Sequence, residues 1–238
     1  MQDKLLTWYA RKGRDLPWRR TRDPYAILVA EVMLQQTQAA RVVPRCLAWL
    51  ERWPTVESLA ATPIADVIRA WRGLGYNRRA VNLHRAARLV AEQGWPEDLT
   101  DLPGVGRYTA DAVACFAFGL PVLPVDVNVS RVLERTGATF RPDCAQALMD
   151  LGATVCLARI PRCGECPLAH GCPSRGRRYE PVRRQGPLEG SFRQRRARTL
   201  YHVAEAPRML ADLDRHAVES LVADGLLEVD QGFARLPA

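Results

Sequence analysis

Lysine is nearly missing from this chain of 238 residues: Lys4 and Lys12 are the only two among 34 basic residues, and the rest are arginine. Genome base composition alone can exchange lysine for arginine, so the sign of the charge carries more than the choice of residue. Any uninterrupted apolar run of about 18 residues is missing too, which excludes a membrane-spanning helix. The start, Met1-Gln-Asp-Lys-Leu-Leu-Thr-Trp8, lacks the basic-then-apolar pattern of an export signal, and the composition is neither disordered nor collagen-like. A cytoplasmic location with reduced thiols is the expectation. What is present, 47% hydrophobic and 25% charged residues, describes one or two globular domains. Chains of this length bury roughly 70% of their unfolded surface and so build a real core.

The formal net charge is +8, which suggests a polyanionic partner. Arg175, Arg177, Arg178, Arg183, Arg184, Arg193, Arg195, Arg196 and Arg198 crowd one stretch, opposed only by Glu180 and Glu189. Such a stretch tracks phosphates or serves as a solvated linker.

Four of the seven cysteines are gathered: Cys156, Cys163, Cys166 and Cys172 give C-x6-C-x2-C-x5-C within seventeen residues. Pro161, Pro167, Pro173, Gly164 and Gly171 punctuate this loop, which can wrap four thiolates around one centre. An all-thiolate zinc site and a [4Fe-4S] cluster are both open on spacing alone, and coincidence is the third reading. Cys46, Cys115 and Cys144 fall in helical patterns and read as buried small residues.

Asp23-Pro24 is a helix cap followed by proline at the first helical position. The stripe Tyr25, Leu28, Val29, Val32, Met33, Gln36 predicts a helix running to about Val43. Further helices are predicted over Arg45–Trp53, Ile64–Trp71, Arg78–Gln93, Arg107–Phe118, Asn128–Arg135 and Asp143–Val155, with short turns near Glu97–Leu102. Val122–Val125 reads as extended. The body is thus all-α up to the cysteine loop. Residues 192–238 read as two helices and a hairpin, Leu226–Val229 and Phe233–Leu236, a small winged-helix-like module.

Within the helical body, Leu102-Pro-Gly-Val-Gly106 joins two helices by a hairpin. Its outward amides suit one phosphate without base preference, and a tight turn is the plain alternative. Two carboxylates differ in surroundings. Glu31 has Ile27, Leu28, Leu34 and Gln35 as helical neighbours, so desolvation favours the protonated acid. Asp126 opens the Asn128–Arg135 helix, where backbone N–H groups favour the anion. One acid and one anion are the division of labour for cleaving a bond to an anomeric carbon. An unusual helix glutamate and an N-cap aspartate account for the same residues without chemistry.

Together, the hairpin Leu102–Gly106, Val125-Asp126 and the cysteine loop resemble the helix-hairpin-helix DNA glycosylases of the endonuclease III superfamily. Within it, five further segments resemble the MutY-type adenine glycosylases: Leu16-Pro-Trp-Arg19, Glu31-Val-Met-Leu-Gln-Gln-Thr-Gln38, Gly73-Leu-Gly-Tyr76, Asn82-Leu-His84 and Leu148-Met-Asp-Leu-Gly-Ala153. The Glu31–Gln38 string is specific to that branch.

The resemblance implies a six-helix barrel domain (21–124) carrying the helix-hairpin-helix motif. It also implies an iron–sulfur domain (1–20 and 125–175), with a basic linker (176–191) and the small module (192–238) beyond. It implies one [4Fe-4S] cluster on Cys156, Cys163, Cys166 and Cys172. Glu31 corresponds to the general acid, Asp126 to the carboxylate that stabilises the cationic sugar, and Asn128 completes the Asp-x-Asn motif. Tyr108 stands where bifunctional relatives carry a Schiff-base lysine. With no lysine beyond Lys12, a monofunctional enzyme is expected. Arg19 and Gln146 match positions contacting the flipped base. Gln36, Thr37 and Tyr76 match those that fill the vacated stack, while Leu102, Gly104, Val105 and Gly106 hold a DNA phosphate.

Three departures from the pattern stand out. Only 29 residues separate Asp126 from Cys156, so a helix is missing around Gly137–Pro142. Val127 replaces the glycine many relatives have in Asp-x-Asn. The C-terminal module is shorter than the domain that reads 8-oxoguanine in long members.

The expected function is excision of adenine opposite guanine or 8-oxoguanine by a monomer acting on mismatched or damaged duplex DNA in the bacterial nucleoid. A thymine or uracil mismatch glycosylase and a non-catalytic, cluster-bearing DNA-binding protein are the alternatives.

Overall fold

The computed structural model of the protein describes residues 1–180 and 186–238; Arg183 and Arg184 of the basic stretch lie outside the described residues. In chain order the helices are α1 (Gln2–Lys12), α2 (Pro24–Leu34), α3 (Ala39–Arg52), α4 (Val56–Ala60), α5 (Ile64–Ala70), α6 (Arg78–Gln93), α7 (Arg107–Phe116), α8 (Val127–Thr136), α9 (Ala145–Thr154), α10 (Phe192–Glu205) and α11 (Arg215–Ala223). Three short strands, β1 (Arg208–Met209), β2 (Glu228–Asp230) and β3 (Phe233–Arg235), form an antiparallel sheet in the order β1-β3-β2. Among the described residues no helix is long and apolar enough to cross a membrane.

The chain divides into two compact units, Met1–Ile27 with Gly106–Arg184 and Leu28–Val105 with Gln185–Ala238. In the first, Leu5 of α1, Val129 and Val132 of α8, Phe140, and Leu148 and Leu151 of α9 share one core. Helices α8 and α9 touch backbone to backbone at Gly152, where an added Cβ would come within 2.7 Å of the Asn128 carbonyl oxygen.

In the second unit the residues 192–238 do not stand apart. Leu200 and Val203 of α10, Leu221 of α11, Leu226, Leu227, Ala234 and Leu236 pack in one cluster with Ile68 of α5 and Val81 of α6. Trp49 lies edge-on to Trp53 and Trp71, with ring centroids 4.6 and 5.4 Å apart.

Two helix boundaries depart from the sequence reading. The predicted helix from Pro24 to about Val43 ends at Leu34, and Gln36 enters the left-handed region at φ +55°. The next helix begins at Ala39 rather than Arg45 and carries Pro44 inside it. Proline there removes one ladder bond, while Val42, Cys46 and Trp49 keep a continuous buried stripe. Between α8 and α9, Gly137 closes the helix in the left-handed conformation, and a 3₁₀ turn, Pro142–Cys144, leads straight into α9. Phe140, almost fully buried, plugs this short connection into the core.

Candidate active site and cysteine loop

Asp23 caps α2, its carboxylate accepting from the Tyr25 and Ala26 amides at 3.0 and 3.3 Å. A helix apolar on every side must be buried; Tyr25, Ile27, Leu28, Val29, Val32 and Met33 all are. Glu31 is the one charged side chain of this helix and is 4% exposed.

Asp126 is the N-cap of α8. Its Oδ1 accepts from the backbone N–H of Asn128 at 2.9 Å and of Val129 at 2.7 Å, and its Oδ2 accepts from the Asn128 side-chain amide at 2.8 Å. Three N–H donors hold the carboxylate in one orientation at a helix N-terminus, where negative charge is favoured. Val127, the first residue of α8, is 77% exposed.

Beyond the cap runs a chain of bonds that sequence reading missed. Asn128 Oδ1 accepts from the Arg131 guanidinium at 2.7 Å, which also donates to the Gly152 and Cys156 carbonyls at 2.7 and 2.8 Å. Burial pulls the Arg131 guanidinium below its ordinary pKa. One turn on, buried Arg135 donates to the Cys156 sulfur at 3.4 Å and to the Leu157 and Ala158 carbonyls at 2.7 Å each. The capped carboxylate is thereby tied to the start of the cysteine loop. The signal was the i, i+3, i+7 spacing of Asn128, Arg131 and Arg135 along one face of α8.

Cys156, Cys163, Cys166 and Cys172 are unbridged and line a single cavity with Val132, Arg135, Leu151 and Val155. Burial pushes the Cys166 thiol up, and Cys156, Cys163 and Cys172 add to the rise. The Gly176 amide donates to the Cys163 sulfur at 3.3 Å. Among the described residues no three His, Cys, Asp or Glu are gathered closely enough to hold a metal ion. Cys46 and Cys144 are buried as expected, and burial takes the Cys46 thiol to about 11; Cys115 is half-buried.

Arg19 and Gln146 are brought together. Tyr9 donates its hydroxyl to Gln146 Oε1 at 2.7 Å, and the Arg19 guanidinium lies 5.6 Å from the Tyr9 ring centroid. Arg19 itself is clamped by Asp150, donating to both carboxylate oxygens at 2.9 and 2.7 Å. Asp150, fully buried, also accepts from the Arg14 amide and Nε at 2.7 Å each. Sequence reading passed over it because it lies beside the apolar stripe of α9.

In the other unit, Gln36 and Thr37 follow α2, and Tyr76, 44% exposed with φ +46°, precedes α6. Arg41 donates to the Gly73 carbonyl, while the Gly73 amide donates to the Tyr201 hydroxyl of α10 at 3.2 Å. In the hairpin, Leu102 and Val105 are buried anchors. Gly104 has φ +76°, and a Cβ there would strike the Asn82 side chain at 2.7 Å, so only glycine fits. Gly106 is exposed at the N-cap of α7, with Arg107 and half-buried Tyr108 opening the helix. Lys4 and Lys12 both lie exposed on α1.

The model of the HhH-GPD superfamily of base excision DNA repair proteins matches residues 29–150 and defines the class. An adenine DNA glycosylase of Mycobacterium tuberculosis (strain H37Rv) is 44% identical over 279 residues, covering 97% of this chain and 91% of that protein. That alignment is longer than the chain, so the relative carries residues that this one lacks. The adenine DNA glycosylase of Homo sapiens is 40% identical over 227 residues, covering 79% of this chain and 42% of its own length.

Among solved structures, a thermostable thymine-DNA glycosylase aligns with TM-score 0.66 at 31% identity, covering 72% of this chain and 93% of its own. A non-covalent endonuclease III–DNA complex aligns with TM-score 0.61 at 25% identity, covering 72% and 92%. This chain belongs to the adenine DNA glycosylase family of the HhH-GPD superfamily.

Proposed function

We propose that the protein hydrolyses the N-glycosidic bond of adenine mispaired with guanine or 8-oxoguanine in duplex DNA, leaving an abasic site without strand cleavage. The observation that carries the reading is the capped carboxylate of Asp126, fixed by three N–H donors. As base and sugar part, positive charge grows on the sugar, and an anion held beside it stabilises that charge without reorganising. Glu31, on a helix otherwise wholly apolar, supplies the proton that makes the leaving adenine neutral. Arg19, held by Asp150, and Gln146, held by Tyr9, face the extruded base; Gln36, Thr37 and Tyr76 occupy the space it leaves. Buried Leu102 and Val105 hold the hairpin, whose Gly104 and Gly106 let a phosphate approach the backbone closely. Tyr108 in place of an amine forms no imine, and both lysines lie on α1, so no lyase step occurs.

The cysteine loop suits a [4Fe-4S] cluster. The four thiols line one cavity, and membership of the HhH-GPD superfamily favours the cluster over a lone zinc ion. When bound, the cluster supplies a cross-link that stiffens the loop. Arg135 and the Gly176 amide donate to two of the sulfurs that would hold it. The chain is read as a monomer working on DNA in the cytoplasm.

A thymine-DNA glycosylase among the structural neighbours favours mismatch thymine or uracil as the second reading. Single-turnover excision on duplexes carrying A:8-oxoG, A:G, T:G and U:G, with and without alkali, separates the two. Adenine release with breaks only after alkali is expected. Thymine release without adenine release supports the second reading, and no release from any duplex leaves a DNA-binding protein only. Iron and sulfide should be present in anaerobically purified protein; zinc alone would contradict the cluster.

A further inference from the structure

We propose that Arg79 is a positioning residue for lesion selectivity. It clamps the two loops that carry Gln36, Thr37 and Tyr76 into the conformation that distinguishes a mispaired duplex from an undamaged one. The proposal rests on the reading that those three side chains face DNA.

Arg79 is the second residue of α6 and is 8% exposed. Among the described residues no carboxylate pairs with it. One terminal nitrogen donates to the carbonyls of Val32, Met33 and Gln35 at 2.8, 3.0 and 2.7 Å. The other donates to the carbonyls of Leu74 and Gly75 at 3.2 and 3.0 Å and to the Thr37 hydroxyl at 3.3 Å. Nε reaches the Tyr76 carbonyl at 3.4 Å. A single planar cation thus gathers the carbonyls at the end of α2, that of Gln35 and the backbone of the Gly73–Tyr76 turn.

Both loops are strained where they carry the DNA-facing residues. Gln36 has φ +55° and Tyr76 φ +46°, the left-handed region that is unfavourable for a non-glycine residue. Such conformations persist only where neighbouring structure enforces them. The Arg79 fork is bonded to the carbonyls just before Gln36 and Tyr76 and to that of Tyr76 itself, and it lies 5.6 Å from the Tyr76 ring. Burial pulls its pKa to about 10, so it remains charged at neutral pH. Lysine cannot reproduce the fork, and in the same burial its ammonium would lose its proton at a lower pH than usual.

The test measures dissociation constants of active-site-titrated full-length protein for two duplexes. One holds a non-cleavable adenosine analogue opposite 8-oxoguanine, and the other is undamaged. Arg79→Met should lower the ratio of the two constants at least tenfold, with affinity for undamaged DNA within about threefold of wild type. Arg79→Lys should recover part of the ratio near pH 6.5 and lose it near pH 9, where wild type holds. Adding Arg79→Met to Gln36→Ala/Tyr76→Ala should cause no further loss, because Arg79 acts through those side chains.

A merely structural role lowers the active fraction, weakens both duplexes alike, or adds to Gln36→Ala/Tyr76→Ala; any of these overturns the proposal. Should Arg79→Met not fold, a pH-independent ratio for Arg79→Lys overturns it equally. If Gln36→Ala/Tyr76→Ala leaves the ratio unchanged, the DNA-facing reading of the loops fails and the proposal falls with it. If that pair lowers the ratio while both Arg79 variants keep it, only the clamp fails.

Discussion

Asp150→Asn is the most informative perturbation outside the reacting groups. The carboxylate is fully buried and accepts four N–H bonds, two from Arg14 and two from Arg19. An amide keeps one acceptor and turns an NH₂ toward guanidinium donors. Breaking one side of a buried ion pair costs about 3–5 kcal/mol. Arg14 is a third exposed and recovers water, which places this change near the lower end, about 3 kcal/mol. At about 2–4 °C per kcal/mol for a chain of this size, Tm should fall by about 6–12 °C.

The sign of the pH dependence is set by the carboxyl. Burial works to raise its pKa, but the Arg19 hydrogen bond, the Arg14 amide and the two guanidinium charges outweigh it and hold the group below the usual range. The unfolded chain therefore takes up a proton at higher pH than the folded one. Asp150 contributes its full stability above the ordinary carboxylate pKa of about 4, and loses it as pH falls through the lower folded value. Melting curves at neutral pH should show the whole gap between wild type and Asp150→Asn, narrowing below about pH 4. A gap that persists undiminished in acid, or a Tm change under about 2 °C at pH 7, would refute this reasoning.

Three further outcomes are expected. Glu31→Gln should abolish excision while lesion-duplex affinity stays within severalfold; turnover at the wild-type rate removes Glu31 from the chemistry. Gly152→Ala drives a Cβ into the Asn128 backbone at 2.7 Å and should cost about 1–3 kcal/mol and slow excision more than it weakens DNA binding; wild-type excision in the folded variant contradicts the link to Asp126. The paired change Arg193→Gln/Arg198→Gln removes two exposed cations of α10 and should reduce the salt slope of DNA binding by about 1–2; an unchanged slope takes α10 off the DNA. This is a cleaner probe than removing residues 192–238, whose loss would strip cover from Ile68 and Val81.

Local signals were legible in the sequence because they act within one turn. Asp23-Pro24 and Asp126 announced their caps, Gly104 its tight approach, and the cysteine spacing its loop. The end of α2 was not legible, since the apolar stripe continues beyond Leu34 and nothing local shows Gln36 turning left-handed. That conformation is enforced from a distance by Arg79. Asp150 was missed for a related reason, since its arginine partners lie more than a hundred residues away; Arg131 has one near partner, Asn128, but the Gly152 and Cys156 carbonyls it also holds lie tens of residues on. Buried ions are readable only once the fold has chosen their counter-groups.

The central claim is that positive charge grows on the sugar and is met by Asp126. Single-turnover excision from an A:8-oxoG duplex carrying deuterium at C1′ of the target adenosine tests it directly. A slower rate than with protium, together with loss of excision in Asp126→Asn at undiminished DNA affinity, is the result the account predicts. Equal rates for the two isotopes, or excision by Asp126→Asn at the wild-type rate, would contradict it.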